Sequence, residues 1–326
     1  MRNFFQSHWK AILALALLIL AAALFLRPRP ASAAQALAER LERHVGAIAA
    51  HSHDTRTPGS LDSAAVYIEQ VLAEAGYRST RQDYAAGGGR VRHIEAAIGN
   101  VAPGRRPERI FIVGAHVDAA RGAPGADDQG SGMAAVLELA RLLAGMRPSA
   151  GTDVRFVFFV NEEPPWFMDE AVGSMEHAGG TQRQQRVGGA AALETMGYYT
   201  ARPASPHLPA GLEGRYPDTG NFIAFVGTLE SATRVREALA AFRAASDFPP
   251  EGLAAPAHTT GVTLSDHGAY QGHGYPALTI TQTAFLRYPY YRTARDPPDQ
   301  LDYERMARVV TGLEKTLRAL AGGARG

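Results

Sequence analysis

Apolar residues recur at helical spacing over 36–51 and again over 61–75, so two amphipathic helices are predicted there, separated by a TPGS break at 57–60. GGGR at 87–90 reads as a turn. Beyond it the periodicity alternates between strand and helix. Strands are predicted near 91–99, at 109–114, 153–160, near 190–197, at 221–226 and at 277–283. Helices are predicted over 131–145, 229–245 and 302–321. Strands alternating with helices predict one α/β domain with a largely parallel sheet. Ligands of such sheets bind where loops leave the carboxyl ends of strands. The polar clusters of this chain fall at those places.

A different pattern precedes this body. Residues 11–26, AILALALLILAAALFL, are apolar without interruption and lie between Lys10 and Arg27. As a helix the run spans ~24 Å against a hydrocarbon core of ~30 Å. Trp9 and the flanking cations can close the difference by snorkelling. Ala31-Ser32-Ala33 resembles a signal-peptidase site, so an uncleaved anchor and a cleaved signal both fit. Residues 1–35 are therefore read as signal anchor and linker, and 36–326 as the functional domain. The run is a membrane partner in either case, and the body is expected outside the cytoplasm, membrane-anchored or exported.

Composition narrows the chemistry. Cysteine is absent, which excludes disulfides, thiolate metal sites and cysteine nucleophiles. Any metal must be held by His, Asp and Glu. The net charge is +1 without a long basic run, so no nucleic-acid partner is expected.

Three clusters can carry that chemistry. In IFIVGAHVDAARGAPGADDQGSG (110–132) a buried strand leads into His116-Val117-Asp118. Residues two apart in an extended segment share a face, so His116 could bind a metal while Asp118 orients the ring or a nearby ligand. Asp127 and Asp128 then precede a helix, where either could ligate or merely cap it. In VRFVFFVNEEPPW (154–166) an apolar strand ends in Glu162-Glu163. Paired carboxylates at a buried strand end are costly without a cation. With a metal present, one can ligate and the other serve as general base. In AAALETMGYY (190–199), Glu194 ends another apolar strand and alone would pass for an edge-strand glutamate.

Taken together, and with SDHGAYQGHGYPAL at 265–278, these motifs resemble the co-catalytic zinc aminopeptidases, metallopeptidase family twenty-eight, which includes bacterial leucyl aminopeptidases and aminopeptidase Y. The resemblance runs from TRTPGS (55–60) to the last helix. It implies a three-layer α/β/α sandwich on a mixed, mostly parallel sheet. It implies one or two zinc ions, a peptide or aminoacyl substrate, and hydrolysis by a metal-activated water. Carried over by position, it makes His116 and Glu194 ligands of one zinc, Asp128 the bridge, Glu163 a ligand of the second zinc, Glu162 the general base and Asp118 the acid behind the ligands. The family's last ligand is a histidine in Tyr-His-Thr-x-x-Asp. Here the loop reads Tyr291-Arg292-Thr293-Ala294-Arg295-Asp296, so Arg292 stands at the histidine's position. A guanidinium has donors and no lone pair, and cannot ligate zinc.

Three outcomes are open. Arg292 turns away and another group, such as His267, His258 or water, fills in; or Arg292 pairs with Glu163 and one zinc remains at His116, Asp128 and Glu194; or the chain binds peptides without turnover. A glutaminyl-cyclase-like acyltransferase is a further alternative. His267 in SDHGAY, Trp166 and Tyr291 are expected to line the site. His258 and His273 read as loop residues, His51 and His53 as surface groups, and Asp296 and Asp299 as turn formers.

Overall fold

The computed structural model describes residues 32–322, apart from 55, 87–88, 165–172, 183–185, 204–207, 209–211 and 213. The apolar run at 11–26 and the pocket candidate Trp166 lie outside the described residues. Among the described residues no helix is long and apolar enough to cross a membrane.

Eight strands form one mixed sheet. In chain order they are β1 (Thr80–Ala86), β2 (Gly89–Gly99), β3 (Arg109–His116), β4 (Thr152–Phe159), β5 (Val187–Glu194), β6 (Ile223–Thr228), β7 (Pro250–Ala255) and β8 (Ala277–Thr281). Their order across the sheet is β1-β2-β4-β3-β5-β8-β6-β7. The centre, β4-β3-β5-β8, is parallel throughout, as is β6-β7. The pairs β1-β2, β2-β4 and β6-β8 are antiparallel.

Alternation on the central strands makes the layers. Phe111, Val113, Phe156 and Phe158 face one side, where they join a core with α1 (Ala33–Ile48), α2 (Pro58–Glu74), α3 (Gly132–Leu143), α5 (Ala232–Ala245) and α7 (Tyr303–Ala321). Ile110, Ile112, Val157 and Phe159 face the other, against Ala178 of α4 (Gly173–Gln182) and Tyr270 of α6 (His267–Gly272). This is the expected α/β/α sandwich. Both faces are covered, which is why β3 and β4 are apolar runs rather than alternating ones.

Several boundaries move for local reasons. The first helix starts at Ala33, inside the segment read as linker, because Ser32 Oγ accepts the N–H of Gln35. TPGS does not interrupt a helix but starts one, with Pro58 at its first position. The strand expected near 190–197 runs Val187–Glu194, so Glu194 is its last residue. Sequence periodicity missed β1 and β7. Both are edge strands, paired on one side only, and TRQDYAA and PEGLAA lack the apolar runs of buried strands. It also missed α4, whose sequence GSMEHAGGTQ has almost no helical patterning.

Candidate metal centre and active site

Parallel pairing places the carboxyl ends of the central strands along one edge. His116 closes β3 beside Phe159 of β4, and Glu194 closes β5 beside Thr281 of β8. The chain then leaves through left-handed non-glycine residues: Asn161 (φ 66°) after β4, Thr195 (φ 48°) after β5 and Thr283 (φ 64°) after β8. Such conformations cost of order 1–3 kcal/mol each and persist where surrounding structure enforces them. Here they cluster around the acidic residues.

Asp118 organises the glutamate pair. Its carboxylate accepts the backbone N–H of Glu162 at 3.2 Å and of Glu163 at 3.0 Å. The His116 ring is fixed through the main chain instead: its Nδ1 lies 2.8 Å from the Asp118 carbonyl and 3.9 Å from the nearer carboxylate oxygen. Nδ1–H therefore donates to that carbonyl, which leaves Nε2 as a lone-pair donor facing the acids.

The turn carrying Asp128 spans Ala126–Ser131 and has non-helical backbone at Asp128 and Gln129. Gly125 enters it at φ 67°, where a Cβ would come within 2.7 Å of the Ala119 Cβ. Asp127 and Asp128 divide their work. Asp127 accepts the N–H of Gly197 at 2.8 Å and an amide proton from Gln282 at 3.1 Å, so it ties the turn to neighbouring loops. Asp128 faces the centre, and neither of its buried oxygens has a hydrogen-bond partner. Gln129 and Ser265 hold Glu194, each donating to its Oε2, at 2.8 and 3.0 Å. Glu194 Oε1 is 3.4 Å from His116 Nε2.

These acids converge. His116 Nε2 is 3.7 Å from Asp128 Oδ1 and 3.6 Å from Glu162 Oε2. Ligand atoms of His116, Asp128 and Glu163 lie within 4.8 Å of one another, all buried. Glu162 Oε1 and Glu163 Oε2 are buried without hydrogen-bond partners. One imidazole nitrogen among hard oxygen donors, several of them unsatisfied, fits a divalent ion. The family pattern groups Glu194 rather than Glu163 with His116 and Asp128. In this fold Glu163 groups with His116 and Asp128, and Glu194 Oε1 lies 3.4 Å from His116 Nε2.

The electrostatics agree. Burial pushes the carboxyls of Asp128, Glu162 and Glu163 up, and the neighbouring acids add to it for Asp128. Burial opposes charge on His116, but Glu162 and Glu194 outweigh it and hold its pKa well above the ordinary range. Burial likewise raises Glu194, yet the His116 ring beside it brings it below the usual value. A cation at this centre would compensate the crowded carboxylates.

Arg292 occupies the remaining side. Its Nε donates to Glu163 Oε1 at 3.0 Å and lies 3.5 Å from Asp128 Oδ2, and its Nη2 is 3.4 Å from Glu162 Oε2. Asp128 thus turns Oδ1 toward His116 and Oδ2 toward the guanidinium. A fixed cation therefore lies between Asp128 and Glu163, where the resemblance puts the second ion. Arg292 does not turn away: it pairs with Glu163, as the second of the three outcomes has it. Burial works against the charge on Arg292, but Asp128 and its neighbours hold it firmly protonated. Its backbone, at φ 55°, is left-handed. The ring of Tyr291 lies beside the guanidinium, 5.3 Å from centroid to Cζ.

Other expectations change. His267 Nε2 lies 2.6 Å from the Val262 carbonyl, so its ring braces a loop rather than reaching the ligands. In SDHGAY it is Ser265 that touches a site residue. Asp266 is buried nearby, and burial pushes its carboxyl up to about 7. His53 is not a surface group: it is buried, and a Cβ on Gly125 would come within 3.2 Å of its ring. Asp296 is no ordinary turn former. It is 1% exposed, and its carboxylate accepts the N–H groups of Asp127 and Asp128 at 3.0–3.1 Å. The aspartate of the Tyr-Arg-Thr-x-x-Asp loop was the available signal, since it sits in register with the family motif.

Residues 97–316, more than half of the chain, match the family described as Peptidase family M28. The uncharacterized protein YfbL of Escherichia coli (strain K12) is 36% identical over 295 residues, covering 87% of this chain and 88% of YfbL. Leucine aminopeptidase 1 of Ajellomyces capsulatus (strain NAm1 / WU24) is 27% identical over 255 residues, covering 71% of this chain and 60% of that protein. Among solved structures, the aminopeptidase from Aneurinibacillus sp. strain AM-1 superposes with a TM-score of 0.66 at 14% identity, over 89% of this chain and 94% of the other. The glutaminyl cyclase of Fimbriiglobus ruber superposes with a TM-score of 0.60 at 18% identity, over 90% and 97%. At those identities the likeness of the solved structures is one of fold.

Proposed function

The chain belongs to peptidase family M28, and from that premise we propose that it is a zinc-dependent exopeptidase working with one ion, with Glu162 as general base. The observation that carries this reading is the set of buried, unpartnered carboxylate oxygens of Asp128, Glu162 and Glu163 around His116. His116, Asp128 and Glu163 would hold the ion, with Glu194 beside His116. The ion supplies Lewis acidity, making a water more acidic and polarising the amide carbonyl.

The chain's own residues do the rest. Burial keeps the Glu162 carboxyl above its ordinary range, which suits a group that takes a proton from water and returns it to the leaving amine. Asp118 fixes the backbone of Glu162 and Glu163, so it is a positioning residue. Gln129 and Ser265 hold Glu194 through its Oε2 and leave Oε1 beside His116. The apolar run 11–26 tethers or exports the chain, with the body outside the cytoplasm.

Aminopeptidase-named relatives support peptide hydrolysis. The shared fold of glutaminyl cyclases, together with Arg292 where the resemblance puts the second ion, supports acyl transfer as the second reading. The test is metal content of the full chain by mass spectrometry, beside hydrolysis of a dipeptide panel. About one zinc per chain and hydrolysis lost in Glu162→Gln are expected. Zinc-free protein that stays inert after zinc is added overturns the reading.

A further inference from the structure

Arg292 does more than fill a metal's place. We propose that it is the specificity-determining residue of this site and reads a carboxylate on the substrate, so that the enzyme acts next to a free α-carboxylate and does not require a free α-amine. The inference rests on the proposed amide hydrolysis and names its substrate class.

The argument starts from which edges of the guanidinium are used. Nε and Nη2 face inward to Glu163 and Glu162. That is the side-on edge. Nη1 makes no hydrogen bond to the described residues, and with the second proton of Nη2 it forms the end-on edge. A planar fork of two N–H groups matches a carboxylate bidentately.

Exposure places that edge outermost. The Arg292 side chain is 32% exposed, while those of Asp128, Glu162 and Glu163 are 1–3% exposed. A ligand arriving from solvent therefore meets donors before it meets acids. The acceptors an α-ammonium needs are covered: Glu163 Oε1 and Glu162 Oε2 lie on the guanidinium, and Glu163 Oε2 and Glu162 Oε1 are buried.

Hydrogen-bond direction chooses between the two ligand types, because the guanidinium is more exposed than the Asp128, Glu162 and Glu163 carboxylates and offers donors. The rest of the loop adds donors of the same sign. Arg295 stacks on Tyr290, 5.2 Å from Cζ to centroid, as Arg292 does on Tyr291. The hydrolysed bond is then the amide whose nitrogen carries the Cα bearing that carboxylate. Water adds to the carbonyl carbon, the C–N bond breaks, and the leaving amino acid takes the proton.

The experiment uses the full zinc-loaded chain and three matched substrates: alanyl-leucine, alanyl-leucinamide and N-acetyl-alanyl-leucine. A preference of at least about tenfold in kcat/KM for the free carboxylate over the amide is expected, the scale of one charge-assisted hydrogen bond. N-acetylation is expected to be tolerated. Arg292→Gln and Arg292→Lys should lose the preference mainly through KM. Equal hydrolysis of acid and amide, or a strict need for the free amine, overturns the proposal. Binding keeps the two proposals separable. Calorimetry of Glu162→Gln with N-acetyl-leucine against N-acetyl-leucinamide reads the carboxylate without turnover. Tighter binding of the acid, lost in Glu162→Gln/Arg292→Gln, supports Arg292 recognition even if hydrolysis is absent and the peptidase reading fails. Equal or no binding of the acid overturns it.

Discussion

Asp296 Oδ2 accepts the backbone N–H of Asp128 at 3.1 Å, across 168 residues of sequence. The same carboxylate takes the N–H of Asp127, and the Tyr288 hydroxyl donates to it at 2.8 Å. The loop that carries Arg292 thus clamps the turn that carries Asp128. Asp296→Ala leaves buried backbone donors unpaired and should cost about 3 kcal/mol. Asp296→Asn keeps one acceptor and should cost less. Urea melts of the three proteins check the order.

Glu162 has one unpartnered buried oxygen, Oε1, while its Oε2 accepts from Arg292 Nη2 at 3.4 Å. Glu162→Gln should lower kcat by roughly 10²–10⁴-fold, the usual worth of a general base. Metal content should remain near that of the parent, because His116, Asp128 and Glu163 still converge. Mass spectrometry on the variant measures this, and loss of the ion would move Glu162 into the ligand set.

Ser265 donates to Glu194 Oε2. Ser265→Ala leaves that oxygen held by Gln129 alone and removes no ligand. Metal affinity should weaken by about 10–100-fold, as expected when a group supporting a ligand is removed. Competition against a chelator of known affinity measures it. Unchanged affinity would show that Gln129 alone suffices.

Acid should destabilise the fold in two windows, both away from the metal centre. Burial pushes His93 down to about 3, so it stays neutral in the fold. Its contribution is complete above the unfolded pKa of about 6.5 and is lost as pH falls toward 3. Burial raises the Glu138 carboxyl, but His44, Arg141 and Arg40 outweigh it and hold it at about 2. Its contribution is complete above about 4.5 and is lost as pH falls toward 2. Glu138→Gln should lose roughly 3 kcal/mol at pH 7 and flatten the lower window. His93→Gln should flatten the upper one. Thermal melts from pH 7.5 to 3 read both.

Much of this molecule was legible in the chain because strand ends write themselves locally. Apolar runs that stop at His116, near Glu162 and at Glu194 state which residues close a buried strand, and a parallel sheet brings such ends together whatever the loops do. The substitution of Arg292 for a histidine was visible for the same reason, in register within its motif. Contacts made across the fold were not visible. No local pattern says that Asp296 reaches back to Asp128, that Ser265 rather than His267 touches a site residue, or that His53 is buried beside the Gly125 turn. Edge strands β1 and β7 were hidden too, since one-sided pairing imposes little pattern. The sequence by itself determined the family, the parallel centre and the acids at its edge. Only tertiary structure decided how Arg292 is used, because a guanidinium's role depends on which of its edges meets carboxylates and which meets solvent.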